Sequence, residues 1–196
     1  MYPQSKKIIG LTGGIATGKT TVSNYLSHRY QLPILDADVY AREAVKPNFQ
    51  ILKTIFARYG LSVSLPDGQL NRQALGDIIF NDSQERKWLE SQIHPYVRKR
   101  FEQEINQLKS DIIVLAIPLL FEAKLTNIVT EIWVVYCAYN EQIRRLVERN
   151  KLTREQAISR INSQISLKEK VAQADVILDN SSTLEALYQQ IDCYLF

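Results

Sequence analysis

Gly13-Gly14-Ile15-Ala16-Thr17-Gly18-Lys19-Thr20 fits the spacing G-x-x-x-x-G-K-[ST], and this stretch decides how the chain is read. Ile8, Ile9 and Leu11 precede it as a short apolar strand, and Val22, Tyr25 and Leu26 follow at the i, i+3, i+4 spacing of a buried helix face. Between strand and helix, glycines let the backbone curl until successive N–H groups point inward at the positive end of the helix, where anionic oxygens are held. The loop and its continuation, Gly13, Gly14, Ala16, Thr17, Gly18, Lys19, Thr20 and Thr21, are therefore expected to bind the polyphosphate of a nucleoside triphosphate. Lys19 is expected to reach the β- and γ-phosphates, and the Thr20 hydroxyl to hold Mg²⁺.

At 196 residues the chain suits one α/β domain with room for a helical insert. Hydrophobic residues make up 45% and charged residues 23%, the balance of a soluble globule with a full core. A net charge of +3 argues for neither a nucleic-acid nor a membrane partner, and Arg98-Lys99-Arg100 reads as a solvated helix face. The two cysteines, Cys137 and Cys193, show no metal-ligand spacing, and Cys137 closes an apolar run as a small buried hydrophobe. The first residues lack the apolar stretch of a secretory signal, and no run approaches the length of a membrane span, so a cytoplasmic protein is expected; a monomer is expected separately.

Five apolar runs, 8–12, 33–35, 112–117, 132–137 and 176–178, alternate with helical patterns, as in a doubly wound parallel sheet. The connection from Val39 to Asp111 is far longer than a βαβ crossover of about 30 residues needs. It carries apolar stripes at Ile51, Leu52, Ile55 and Phe56 and at Leu75, Ile78 and Ile79, with a turn at Leu65-Pro66-Asp67-Gly68. Trp88, Leu89 and Ile93 continue the pattern; Pro95 suits the first turn of a new helix carrying Val97, Phe101, Ile105 and Leu108. An insert leaving the carboxyl end of the second strand is expected to serve a second substrate. After the fourth strand, Asn140 suits a helix cap, Asn150-Lys151-Leu152 a break, and Thr153-Arg154-Glu155-Gln156 a capping box. The helix that follows is expected to run through Ile165, with Arg160 and Gln164 one turn apart.

Phosphoryl transfer needs alignment of an attacking oxygen and neutralisation of charge on the moving group. Asp36 and Asp38 lie two apart beyond the second strand, so in extended chain both project the same way, and either suits proton acceptance, metal holding or a helix cap. Arg145, Arg149, Arg154 and Arg160 lie within 16 residues; they suit a lid closing over triphosphate, or a solvated face paired as Glu141–Arg145. His94, before Pro95, is placed at a helix break, His28 at the surface, and Glu122 toward either substrate or solvent. No Asp has Gly three positions on, and Asn150-Lys151-Leu152-Thr153 ends in Thr, which excludes GTPase switch motifs. The third strand runs into Pro118 rather than an Asp, which removes the usual metal acid of motor ATPases and leaves a small-molecule kinase.

Nearly the whole chain resembles the dephospho-coenzyme A kinase family. The likeness runs through Leu11-Thr12-Gly13-Gly14-Ile15 and Gly18-Lys19-Thr20, Leu35-Asp36-Ala37-Asp38 with Ala41-Arg42, and Leu70-Asn71-Arg72 with Leu75, Ile79 and Phe80. It continues through His94-Pro95, Ile117-Pro118-Leu119-Leu120-Phe121-Glu122, Arg149 to Thr153-Arg154, Arg160 with Gln164, and Ala174-Asp175-Val176-Ile177 with Asp179-Asn180. The resemblance implies an α/β P-loop kinase: a five-stranded parallel sheet flanked by helices, with a helical substrate-binding insert and an Arg-rich lid. Residues 1–38, 109–138 and 171–196 would form the nucleotide-binding core, 39–108 the acceptor-binding insert and 139–170 the lid. It implies transfer of the ATP γ-phosphate to the ribose 3′-hydroxyl of dephospho-CoA, the last step of coenzyme A synthesis. Asp38 would be the base, acting with Lys19 and Arg149; Arg42 and His94 would contact the acceptor, and Asn180 would lie near adenine. The family's loop usually carries Ser where Thr17 and Thr20 stand, a change that keeps the hydroxyls. A nucleoside monophosphate kinase shares loop, sheet and lid, and Arg58, Arg72, Arg86 and Arg98 are available to grip an acceptor phosphate; the Asp-Ala-Asp motif argues against it.

Overall fold

The computed structural model describes residues 6–195, so the outermost residues of the expected core, 1–5 and 196, lie outside the described range. The chain divides into two units: one holds the segments up to Asp36 and from Leu108 onward, the other Ala37–Gln107. The first begins with β1 (Lys7–Gly13), passes through the glycine loop into α1 (Lys19–Tyr30) and reaches β2 (Ile34–Asp36). The second holds α2 (Ala37–Ala44), α3 (Gln50–Tyr59), α4 (Arg72–Asn81) and α5 (Ser83–Gln107). Back in the first unit follow β3 (Ile112–Ala116), β4 (Glu131–Tyr136), α6 (Tyr139–Asn150) and α7 (Arg154–Asn162). The chain then runs through α8 (Leu167–Val171), β5 (Val176–Asp179) and α9 (Leu184–Leu195). Among the described residues no helix is long and apolar enough to cross a membrane.

Among the described residues five parallel strands pair in the order β2-β3-β1-β4-β5. Ile8, Ile9 and Leu11 are fully buried, because β1 is central and covered on both faces; a strand in that place reads as an unbroken apolar run. The edge strand β5 alternates instead, with Val176 and Leu178 buried and Ile177 and Asp179 exposed. Val22 and Leu26 of α1 join Leu187 and Ile191 of α9 against Trp133 and Val135. Each such side chain contributes about 1.5–3 kcal/mol of burial. The chain leaves β1 toward β2 on one side and later fills β4 and β5 on the other. The carboxyl end of β1 is therefore a topological switch point, the place where such sheets bind ligands.

The helical unit has its own core of Leu52, Ile55, Val63, Leu70, Leu75 and Leu89. The expected turn is present: the Gly68 amide donates to the Leu65 carbonyl (2.9 Å), and Gly68 takes φ 77°, a left-handed value that favours glycine. The basic run of α5 is less solvated than expected, since Arg98 pairs with Glu102, and Arg100 with Glu104 and Glu43.

Five local expectations are corrected. The second strand runs from Ile34 to Asp36, one residue later than expected, because Asp36 still pairs with Ala116. The helix α2 starts at Ala37, so Asp36 and Asp38 do not share an extended segment; Asp36 ends a strand and Asp38 sits in the first turn of a helix. Pro95 starts no helix. It lies inside α5, where Leu89 on one side and Val97, Phe101 and Ile105 on the other are buried, and that burial outweighs the lost backbone bond. Finally, Asn140 is the second residue of α6, whose cap is Ala138, and α7 ends at Asn162, short of Gln164 and Ile165; the Thr153–Gln156 capping box itself is present.

Pro95 is exposed and leaves the Ser91 carbonyl without its helix donor. Pro95→Ala is expected to raise the unfolding free energy by about 1–3 kcal/mol, read from urea unfolding. An unchanged midpoint would mean that the helix is already relaxed around the ring.

Candidate active site

The phosphate loop can be understood by asking where its backbone polar groups go. Five successive carbonyls meet side-chain donors. Lys19 Nζ donates to Gly13 O (3.2 Å) and Gly14 O (2.8 Å), and Gln142 Nε2 to Ile15 O (2.8 Å). Arg145 reaches Ala16 O (3.5 Å) and Thr17 O (3.3 Å), and Asn180 Nδ2 also donates to Thr17 O (2.8 Å). With its carbonyls bonded to side chains, the loop has amides left over: those of Ala16, Gly18 and Thr20 find no acceptor among the described residues. That is an anion cradle at the start of α1, and it has the chemistry to hold phosphate oxygens.

Gly18 shows why only glycine serves there. It takes φ 108°, and a Cβ would collide with the Asn180 amide. Thr17 is buried, its hydroxyl donating to Gly14 O (3.0 Å), and Thr21 is half-buried. Thr20 is exposed, and its hydroxyl has no partner among the described residues, so it is available as a hard oxygen ligand. Asn180, expected near adenine, is buried and spends its side-chain amide on the loop.

The four arginines of the expected lid do not act alike. Arg145 is anchored at the loop, held by Glu141 (2.7 Å) and donating also to Asn180 O (2.9 Å). Arg149 bonds its neighbour Asn150 (3.0 Å) on an exposed face, and Arg154 and Arg160 are exposed as well. The Arg144 and Arg145 guanidiniums hold the Glu141 carboxyl down at about 2, Arg144 being the stronger influence. Behind the loop, burial pushes the Cys137 thiol up to about 11, so it stays an inert hydrophobe.

Three residues that sequence reasoning gave no role support this unit. Gln142 is buried on the inner face of α6. Gln164, past the end of α7, accepts the Ile15 N–H (3.1 Å). Lys170 is fully buried and bonds Pro118 O (3.1 Å) and Glu122 (2.9 Å), while Glu122 also accepts the Ile165 N–H (3.2 Å). Glu122, still partly exposed, thus neutralises a buried cation through one of its carboxylate oxygens. A polar side chain among Ile143 and Leu146 was the only available signal for Gln142, and Lys170 had none.

The helical unit contains the other expected site residues. Asp38 is exposed in the first turn of α2, and Arg42 is exposed one turn further on. Both line a cavity of about 390 Å³ with Arg72, Leu70, Leu75 and Ile79. Arg72 also donates to the Arg42 carbonyl (3.4 Å). His94 does not line this cavity; its neighbour Ile93 does. The His94 ring is half-buried, and desolvation lowers its pKa against the opposing pull of Glu90, which favours neutral imidazole. His28 is exposed on α1, as expected.

A family model described as Dephospho-CoA kinase matches residues 7–186. The dephospho-CoA kinase of Trichormus variabilis is 61% identical over 191 residues, 97% of either chain. That of Synechocystis is 55% identical over 96% of this chain and 94% of its own. Among solved structures, TT1252 from Thermus thermophilus has a TM-score of 0.83 at 32% identity, covering 98% of this chain and 97% of that one. The dephospho-CoA kinase from Campylobacter jejuni gives 0.72 at 27%, covering 97% and 96%. A shikimate kinase from Bacteroides thetaiotaomicron, at 0.51 and 15% over 96% and 98%, shares the fold alone.

Gly18→Ala combines a forbidden dihedral with a steric clash, so ATP affinity measured by calorimetry should fall at least about 100-fold. The depressed Glu141 pKa gives a stabilising contribution that is complete above the ordinary carboxyl value and is lost as pH falls toward about 2. The gap in melting temperature between the native chain and Glu141→Gln should therefore close on acidification from pH 6 to about pH 2. A gap that stays constant would assign no stability to this carboxylate.

Proposed function

The chain belongs to the dephospho-CoA kinase family, and from its chemistry we infer how its residues divide the work. The enzyme transfers the γ-phosphate of ATP to the ribose 3′-hydroxyl of dephospho-CoA, giving coenzyme A and ADP. The glycine loop holds the triphosphate on its inward amides, with Lys19 turning from Gly13 O and Gly14 O to the β- and γ-phosphates. The exposed Thr20 hydroxyl would hold Mg²⁺, which would supply positive charge beside the triphosphate. Arg149, Arg154 and Arg160, three of the exposed cations of the α6–α7 excursion, supply the mobile charge that meets the transferring group, and Arg149 is assigned the catalytic contact. Arg145 serves the loop instead.

Asp38 takes the proton of the 3′-hydroxyl as that oxygen attacks the γ-phosphorus and the bond to the β-phosphate oxygen breaks, releasing ADP. The acceptor side rests on one observation above all: Asp38, Arg42 and Arg72 line the same cavity as Leu70, Leu75 and Ile79. A carboxylate beside cations and apolar side chains suits a substrate that joins a ribose, a pyrophosphate and a long uncharged arm. His94 supports that side as a neutral, half-buried ring rather than as a cation. The free thiols of Cys137 and Cys193 suit a reducing cytoplasm.

Asp38→Asn is expected to lower kcat by about 10²- to 10³-fold while ATP binds as before, measured by coupled assay and calorimetry. Near-normal turnover would remove Asp38 as the base. Dephospho-CoA should turn over far faster than AMP or UMP under the same conditions, and comparable rates would favour a nucleoside monophosphate kinase.

A further inference from the structure

Ala16 is the one non-glycine residue in the phosphate loop with a left-handed backbone, at φ 60°. L-residues with a Cβ disfavour that region by roughly fivefold to thirtyfold, whereas glycine enters it freely. A backbone in such a state persists only where its surroundings over-determine it. The peptide planes on either side of Ile15 are both held by glutamines. Gln164 Oε1 accepts the Ile15 N–H (3.1 Å), fixing the plane between Gly14 and Ile15. Gln142 Nε2 donates to the Ile15 carbonyl (2.8 Å), fixing the plane between Ile15 and Ala16, from which the φ of Ala16 is measured.

Gln142 is only 2% exposed, and its amide lies where a Cβ on Gly14 would come within 2.5 Å of it. The glutamine therefore presses directly on the loop. The two side chains come from opposite ends of the α6–α7 excursion, Gln142 from the first turn of α6 and Gln164 from just past α7. Arg145, three residues after Gln142 on the same helix, reaches the next two carbonyls. A single helix face thus sets successive peptide orientations along the strained part of the cradle.

We propose that Gln142 is a positioning residue for ATP, with Gln164 as the second arm of a clasp that keeps Ala16 left-handed and the loop amides turned inward. The proposal rests on the reading of this loop as the ATP cradle. Without the clasp, Ala16 relaxes toward negative φ and the preorganised amides are lost before ATP arrives. The effect falls on ATP binding, because neither glutamine reaches a reacting atom.

The test is a double-mutant cycle on the full chain. Gln142→Met keeps the side-chain length and removes the donor; it should raise the KM for ATP about tenfold. It should leave kcat at saturating ATP and the KM for dephospho-CoA within about twofold. In an Ala16→Gly background the left-handed state no longer needs to be enforced, so the same substitution should raise the ATP KM less than about threefold. An equal factor in both backgrounds overturns the proposal, as does a loss confined to kcat with a lowered melting temperature. If Gln142→Met fails to fold, Gln164→Met is read in the same two backgrounds and must show the same dependence on residue 16. An unchanged ATP KM in Gln142→Met, with Lys19→Ala still abolishing ATP use, sinks the clasp and keeps the cradle. An ATP KM unmoved by Lys19→Ala would instead sink the cradle reading itself.

Discussion

A loop can present amides to an anion only if its carbonyls are satisfied elsewhere, and the nucleotide-binding unit is arranged around that constraint. The carbonyls of residues 13–17 all meet donors, drawn from Lys19, Gln142, Arg145 and Asn180, and when Lys19 turns to phosphate the Thr17 hydroxyl still bonds Gly14 O. These donors come from the start of α1, one face of α6 and the end of β5. Buried unpaired carbonyls would each cost about 1–3 kcal/mol and would pull the loop toward conformations that turn its amides away. The parallel sheet brings the donors into reach, because β1, β4 and β5 are neighbours and their carboxyl ends lie together.

The excursion after β4 combines two kinds of residue. Its inner face supplies fixed polar contacts through Gln142 and Arg145, and its outer faces carry Arg149, Arg154 and Arg160 in solvent. The chain beyond α7 is tied down by Glu122, Lys170 and Gln164. Burying Lys170 completely is tolerable only because Glu122 and the Pro118 carbonyl meet its charge. The excursion thus stabilises the cradle with one face of α6 while α6 and α7 carry these cations on their exposed faces.

The helical unit follows a different logic. Its apolar stripes close a separate core, and α5 continues as helix through Pro95 because burial on both flanks exceeds the cost of one lost hydrogen bond. Local propensity argued for a break at that position, and tertiary packing overrode it. The change of α2 to helix at Ala37 had a similar source: Asp36 is the last residue that β3 can pair, so the strand ends there.

Much of this protein was determined by its sequence alone. The glycine spacing, the unbroken apolar run of β1, the alternation of strands and helices, the capping box at Thr153 and the length of the insert are local features whose physics acts between near neighbours. The family motifs carried the activity in the same way. Only the tertiary structure decided which polar groups meet. That Gln142 and Gln164 grip Ile15, that Arg145 rather than Arg149 holds the loop, and that Lys170 neutralises Glu122 depend on contacts between residues 48 to 149 positions apart. Such pairings are set by strand order and helix packing, and no spacing pattern along the chain records them.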